Sequence, residues 1–478
     1  MLAELSKPDE LAELAELTAC EDVVMFVNAA VTATAQREFH AGATEQRLSL
    51  AFLHEYVLTN YREIYAAALA LDINDLNAAT IVLNLLRTAQ AVPLPQRRLE
   101  GRLIAARLRA LPPQRVYRVL RALRAEGINN RRTRAIVRDW VAARPDVAFD
   151  AVKYRRGLTV AAGHAHLRLP GEVGTMLFDW RRPKRYDTPI LESWRRAHYE
   201  KDALFDLPYT VAEGLASTRR RDIGRAEFLR AIAPRLTELE RLRLQRAGHG
   251  HVEAALDRQP LTRLALYALS LPRPERARRR EELTAALRAA ARRAAGRRAG
   301  TWGDVVAVLD DSYSSSGSAV KRRRPLAVAL AAHYLLEALA QRYRPIWLNH
   351  AGDPLLVHPL GATPLGERLL DALALRPQRL VVVSDGWDNA PPGQAAEVLR
   401  VWRQRLDPDG RTSIVHLNPV YDGDAFDVRR LSPDVPSVGV RDAEDAAALV
   451  ELARFATGTA TFAELRAHLD ERVEGFLR

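Results

Sequence analysis

The sequence predicts a multidomain protein, with an all-α, HEAT-like helical repeat region over residues 1–299 followed by an α/β doubly wound, Rossmann-like domain over residues 300–478. Three observations carry that expectation. From Asp9 to about Ala299 apolar residues recur at helical spacing with hardly a strand-like run. From Asp304 onward, short runs rich in Val and Leu alternate with helical stretches. The first of these runs, Val305-Val306-Ala307-Val308-Leu309, leads straight into Asp310-Asp311-Ser312-Tyr313-Ser314, so one carboxylate and two hydroxyls are expected at the carboxyl end of a buried strand.

At 478 residues the chain is too long for one core. Its 48% hydrophobic and 27% charged residues are those of a globular protein, and no apolar run approaches the ~18 residues of a membrane span. The N-terminus, Met1 to Glu10, has neither the basic region nor the apolar core of a signal peptide, and Cys20 is the single cysteine, so the expected location is cytoplasmic. Cys20 lies among helical Ala and Leu, where a small core residue is expected rather than a nucleophile. The net charge of +12 is uneven: residues 301–478 hold 20 Lys and Arg against 24 Asp and Glu, so all the excess lies in the first 300 residues. That asymmetry points to a polyanionic partner for the helical region, most simply nucleic acid. A GC-rich genome, which favours Ala and Arg everywhere, is the competing explanation.

In the helical region Leu48, Phe52, Leu53, Val57, Ile64 and Leu69 keep a rhythm of about 3.6 residues, continued by Leu76, Ile81, Val82, Leu85 and Leu86. Breaks fall at Asp72–Asp75, Val92–Pro95, Leu111–Pro113 and Arg144–Asp146. Short turns between such helices predict stacked helical pairs, without a strict sequence period.

Residues 113–166 are singled out by their chemistry. In the helix opening at Pro113, Val116, Val119, Leu120 and Leu123 form one stripe while Arg115, Arg118, Arg121 and Arg124 fill the opposite arc. The next helix repeats this, with Thr133, Ile136, Val137 and Trp140 inward and Arg131, Arg134 and Arg138 outward. Hardly any acidic residue shares these faces, so i,i+4 ion pairs do not obviously consume the arginines. Lys153, Tyr154, Arg155 and Arg156, then His164 and His166, add cations, a ring and imidazoles suited to phosphate contact and base stacking. The two histidines also fit a metal, although no third ligand is evident. Further basic stretches are Arg181–Arg185, Arg219–Arg221 and the Ala- and Arg-rich helix over 273–298, which either connects the domains or binds RNA.

In the C-terminal part strands are expected at 304–309, 344–349, 355–358, 379–384, 412–417 and 436–440, that at 355–358 being an antiparallel edge. Helices are expected at 325–341, 364–375, 393–405 and 442–457. Two further fragments complete the first. Thr363 stands just before a helix opening with Pro364, and Leu380-Val381-Val382-Val383-Ser384-Asp385 is a second apolar strand ending in an aspartate.

Asp310, Ser312, Ser314, Thr363 and Asp385, in this order at strand ends, resemble the metal-ion-dependent adhesion site of von Willebrand factor A (VWA) domains. The resemblance implies that these five hold Mg2+ or another divalent cation such as Mn2+. Hydroxyls and one or two carboxylates suit a hard ion and leave it under-neutralised, so it attracts an outside acidic oxygen. Lys321, Arg322, Arg323 and Arg324 are expected to lie near the ion, with Asp311 and Asp388 as further nearby carboxylates.

A helical-repeat region followed by such a domain resembles the architecture of the Ro autoantigen (TROVE) family, whose members form a helical-repeat ring and bind small structured RNAs and misfolded RNA ends. Locally, Arg138-Asp139-Trp140, Lys153-Tyr154-Arg155-Arg156 and His164 and His166 are similar to the family's basic stretch, but Gly157-Leu158-Thr159 stands where its Gly-Trp-x-His element is expected. The resemblance implies an RNA-binding, ribonucleoprotein component. A rival is a non-enzymatic adaptor whose metal site recruits an acidic residue of a protein partner such as an AAA+ ATPase. No nucleophile elbow, phosphate-cradling loop or catalytic cysteine signature is present, so no enzymatic activity is expected. The identity of the RNA or partner, ring closure and oligomeric state are left open by the sequence.

Overall fold

The computed structural model describes residues 8–179, 183–219, 222–249, 252–453, 455 and 460–478. The expectations for the first seven residues, for Arg181, Arg182, Arg220 and Arg221, and for part of the segment after Ala453 fall outside these residues. The protein is helix-rich with a five-stranded parallel sheet in its C-terminal part. Two compact units form. One runs from the N-terminal helix to Asn77 and takes in Leu256–Phe476 and Arg478; the other is Ala78–Ala255 with Leu477. The division therefore does not fall at residue 299, because both ends of the expected helical region pack on the α/β fold.

The strands of the first unit are β1 (Asp304–Leu309), β2 (Arg342–Trp347), β3 (Arg379–Val383), β4 (Ser413–Asn418), β5 (Tyr421–Asp422), β6 (Asp427–Val428) and β7 (Ser437–Gly439). Five of them form the parallel sheet in the order β2-β1-β3-β4-β7, and β5 and β6 pair antiparallel. Alternation sorts the side chains. Val306 and Val308 of β1 and Leu380 and Val382 of β3 join Leu365, Leu369, Leu373 and Leu399 from helices Leu365–Ala374 and Gln394–Val401 in one core cluster. Val305, Ala307 and Leu309 face the other way, towards helix Arg324–Leu339, in which every residue from Pro325 to Leu336 is buried.

A helix apolar on all sides must be covered on all sides. Helices Leu261–Ser270 and Arg280–Ala295 supply that cover, burying Leu283, Ala286, Leu287, Ala290 and Ala291. The stretch 273–298 is therefore part of the α/β unit and not a solvated connector, and several of its arginines are ion-paired, Arg279 to Glu282 at 2.8 Å and Arg288 to Glu337 at 2.9 Å.

Some element boundaries differ from expectation. Residues 355–358 form no strand: Pro354–Leu356 is a short 3-10 turn. Asp353 caps it by accepting from the Leu355 N–H, and Arg276 donates to the carbonyls of Leu355 and Val357 at 2.7 and 2.9 Å, taking acceptors that a neighbouring strand would need. Pro364 precedes the first helical residue, and the helix starting at Gln394 continues beyond Val401 as a π-helical turn over Trp402–Leu406.

Helix Pro8–Thr32 joins this unit at the sheet edge. Asn28 donates to the buried carboxylate of Asp427 at 2.8 Å and accepts from the Gly439 N–H of β7 at 2.8 Å, supplying the edge strand with a partner. A Cβ on Gly439 would come within 2.9 Å of the Asn28 carbonyl oxygen, so the close approach requires glycine. Cys20 is fully buried on the same helix. Replacing Asn28 by Ala takes one donor from the buried Asp427 carboxylate and the side-chain acceptor from the Gly439 N–H, and is expected to cost about 1–3 kcal/mol. Urea unfolding checks this, and an unchanged midpoint would refute it.

The second unit is helical. Val116, Val119, Leu120 and Leu123 of helix Pro113–Ala125 are buried, while Arg118, Arg121 and Arg124 are exposed and Arg115 is half-buried. In helix Arg131–Ala142, Thr133, Val137 and Trp140 are buried, Ile136 is half-buried, and Arg131, Arg134 and Arg138 are exposed. Asn130 caps this helix by accepting from the Thr133 N–H. The Trp140 indole N–H donates to the Leu108 carbonyl at 2.9 Å. A buried network fixes the neighbouring helices: Asp150, fully enclosed, accepts from Tyr117 Oη at 2.8 Å and from Arg144 at 2.6 and 3.1 Å. Helix Arg155–Ala165 crosses close to Tyr117, where a Cβ on Gly157 would lie 2.7 Å from the tyrosine Cβ.

Candidate functional site

Because β1 and β3 are adjacent and in parallel register, Leu309 opposite Val383, the residues that follow them emerge together at the switch point of the sheet. Asp310 donates its N–H to the Val383 carbonyl at 3.0 Å, so its side chain lies at the same end as Asp385. Both carboxylates are buried, each 4% exposed.

The Ser-containing turn wraps this pair. The Ser312 N–H donates to Asp310 Oδ1 at 2.8 Å, Ser312 Oγ lies 3.2 Å from Ser314 Oγ, and the Ser314 hydroxyl bonds to Asp385. Thr363 is buried on the adjoining loop, its N–H donating to Asn389 Oδ1 at 2.9 Å. That loop is fastened to the turn by Leu360 N–H to the Asp311 carbonyl at 2.8 Å and by Tyr313 N–H to the Gly361 carbonyl at 3.0 Å. Asp311 and Asp388 support the walls: Asp311 accepts from the Asn349 N–H and Asp388 from the Ala395 N–H.

Burial, and then the neighbouring charge of Asp385, push the Asp310 carboxyl up to about 8; burial also raises Asp385. Among the described residues no group of three or more His, Cys, Asp and Glu converges as a metal centre. The oxygens gathered here are of another kind, two carboxylates with the hydroxyls of Ser312 and Ser314, and such hard oxygens suit a Mg2+-like ion.

The four-cation stretch is not gathered at this pair. Lys321 is ion-paired with Glu38, Arg323 donates to the Leu269 carbonyl, and Arg324 binds Asp442 at 2.8 Å, while Arg322 is exposed. Four residues that sequence reasoning missed lie there instead. His40 Nε2 is 3.9 Å from Asp385 Oδ2, its ring lies 4.3 Å from that of Trp387, the Arg429 guanidinium stands 3.8 Å over the same indole, and Phe39 meets Tyr313 edge-on at 5.9 Å. Burial holds the His40 imidazole below the usual histidine range. Trp387 was within sight of the motif; His40, in a connection far upstream, carried no signal.

In the helical unit, Arg131, Arg134 and Arg138 line a groove of about 860 Å3 together with His166 and Arg168. Among the described residues no acidic side chain lines it. His166, left-handed at φ 53°, ends helix Arg155–Ala165 and leaves its side chain exposed. Arg138 has an exposed neighbour, Asp139, at 3.0 Å, a contact worth little in water. Arg168 was also missed, although it stands two residues from His166.

The other candidates for RNA contact are apportioned differently. Arg118 and Arg156 are exposed but outside the groove lining, and Arg115 is half-buried. Lys153 lies 5.4 Å over the Phe149 ring; Tyr154 packs on Tyr117 at 5.4 Å; Arg155 stacks 4.9 Å over Trp194 and donates to the Met176 carbonyl; and His164 Nε2 is 3.0 Å from the Ile128 carbonyl oxygen. These four residues are engaged in the unit's own packing.

The fold and sites define a helix-rich protein with a five-stranded parallel sheet, a buried acidic pair and a basic groove. No protein-family model and no curated protein matches the chain. Among solved structures, the crystal structure of the Deinococcus radiodurans Ro (RSR) protein is similar at 18% identity with a TM-score of 0.44, over 92% of this chain and 100% of that one.

The acidic pair makes stability depend on pH. Folded Asp310 keeps its proton to about 8, whereas the unperturbed carboxyl loses it near 3.8. Its contribution is fully present below the lower value and is lost as pH rises towards the upper one. In chelator, stability is expected to fall between pH 5 and 8, by at most about 1.4 kcal/mol per pH unit. Thermal melts should show Asp310→Asn flattening that slope; an equal slope in the variant would refute the assignment.

Proposed function

We propose that the protein is a non-enzymatic RNA-binding, ribonucleoprotein-type component that grips phosphates in the Arg131–Arg168 groove and carries a divalent-cation site of the VWA type. The groove is the observation that carries this reading. Arg131, Arg134 and Arg138 span about 10 Å of one helix face, against one phosphate per about 3.4 Å of strand axis, so the row meets several phosphates at once. Charge is concentrated in the same unit: residues 78–255 hold 35 Lys and Arg against 18 Asp and Glu, a net +17, leaving −5 for the rest of the chain. A genome-wide preference for arginine would raise both units alike, and the contrast between them argues against it. RNA, within the class of polyanions, rests on the residue pattern resembling the Ro (TROVE) family, as does the HEAT-like reading of the helices.

At the other site Asp310, Ser312, Ser314, Thr363 and Asp385 would hold Mg2+ or Mn2+, and the donor set fits because two buried carboxylates lie together with hydroxyls for neighbours. The bound ion would offer a coordination position to an outside acidic oxygen.

Filter binding of structured RNA, single-stranded RNA and duplex DNA across a salt series tests the first part. The logarithmic salt slope is expected at roughly −0.7 to −0.9 per phosphate neutralised, and Arg134→Ala or Arg138→Ala should each reduce it by about one contact. Binding no tighter than ~10⁻⁴ M for both RNAs, the weak end of non-specific affinity, would overturn the RNA reading in favour of the protein adaptor. Calorimetric titration tests the second part: Asp310→Ala should abolish Mg2+ or Mn2+ binding, and Ser312→Ala should weaken it less, since water replaces a neutral ligand more readily than a charge.

A further inference from the structure

Helix Arg131–Ala142 borders a second groove, which shares only Ala135 with the basic one. This groove lies between that helix and helix Leu94–Ala110, measures about 760 Å3, and is lined entirely by residues of the second unit. Contacts towards its two ends show the helices running side by side in the same direction. Arg132 pairs with the buried Glu100 at 3.8 Å, and the Trp140 indole N–H donates to the Leu108 carbonyl at 2.9 Å. The lining runs from Arg98 to Arg109 on one side and from Arg132 to Ala143 on the other, so the groove is about 16 Å long.

Its floor offers hydrocarbon and no free polar side chain. Ala105, Leu108, Ile136 and Ala143 are apolar, and Trp140 has both its N–H and its ring in use: Tyr117 meets the ring edge-on at 5.1 Å and Arg144 lies 5.3 Å over it. The rim is cationic. Arg98, Arg102 and Arg109 are exposed and Arg132 is half-buried, while Asp139, beside Arg138, is the one acid lining the groove among the described residues.

A nucleic-acid strand would meet the guanidinium groups, yet it would leave the hydrocarbon floor uncovered and find no ring face for a base. An α-helix meets both features. About 16 Å is three helical turns, small residues such as Gly101, Ala105 and Ala135 let a third helix come close to the walls, apolar side chains at i, i+3 or i+4 and i+7 cover the floor, and acids on its flanks complement the rim.

We propose that this groove docks an amphipathic helix of a partner protein, about eleven residues long, with an apolar stripe towards Leu108, Ile136 and Trp140 and with Asp or Glu facing the arginine rim. The proposal does not depend on RNA binding in the neighbouring groove.

Fluorescence anisotropy of the full-length protein tests it with a labelled peptide held helical by a side-chain cross-link, since a short helix is marginal alone. The probe carries Leu at alternating three- and four-residue spacing and Glu elsewhere; a permuted probe of identical composition scatters the leucines round the helix. Wild type should bind the first at least about tenfold tighter than the second. Arg102→Glu turns an exposed attraction into a repulsion and should weaken binding about fivefold, and Ala143→Glu, which sets a charge against the apolar stripe, about tenfold. Both positions are exposed, so both variants should melt like wild type. Arg243→Glu, exposed and outside the groove, alters net charge as Arg102→Glu does and should change affinity less than about twofold at physiological salt. Equal affinity for the two probes, or losses in Arg102→Glu and Ala143→Glu no larger than in Arg243→Glu, would overturn the proposal. So would a uridine 20-mer whose binding those two variants weaken more than they weaken the probe's, an outcome that gives the groove to RNA.

Discussion

The parallel pairing of β1 with β3 is the constraint on which the acidic site depends. Register sets Leu309 against Val383, so the next residue of each strand carries its carboxylate to one point. The cost is a pair of buried carboxyls, visible in Asp310, which is raised first by burial and then by the neighbouring charge of Asp385. Ser312 and Ser314 reduce that cost with hydrogen bonds, and the Thr363 loop closes the point from another side. The Ser-containing turn therefore has a structural role whether or not an ion is bound.

The same sheet explains why the N-terminal helices and the Ala- and Arg-rich stretch belong to the α/β unit. Helix Arg324–Leu339 is buried on nearly every side, and helices Leu261–Ser270 and Arg280–Ala295 cover its outer side. Edge strand β7 has unpaired backbone groups, and Asn28 serves them together with Asp427. With those helices comes the connection that brings His40 to Asp385.

In the second unit, two roles compete for the basic and aromatic residues. Packing takes Tyr154, Arg155 and His164, because half-buried rings and guanidinium groups find rings and carbonyls within the unit. The residues left outward on helix Arg131–Ala142 meet the turn at His166 and Arg168 to form the groove. Surface charge then follows from helical spacing: one face buries Thr133, Val137 and Trp140, and Arg131, Arg134 and Arg138 on the other face must point out.

Legible in the residues alone were the strand and helix alternation after Asp304, the inward and outward faces of helices Pro113–Ala125 and Arg131–Ala142, and the convergence of Asp310, Ser312, Ser314 and Asp385. Each of these follows from local periodicity or from the rule that parallel strands deliver their ends together. Where the compact units divide, which cations are spent on partners, and that residues 355–358 turn instead of pairing came from long-range packing. Those outcomes depend on which apolar face needs covering and which carbonyl or carboxylate stands within reach. Lys321 meeting Glu38 and His40 meeting Asp385 join residues hundreds of positions apart, and such contacts leave no trace in local spacing.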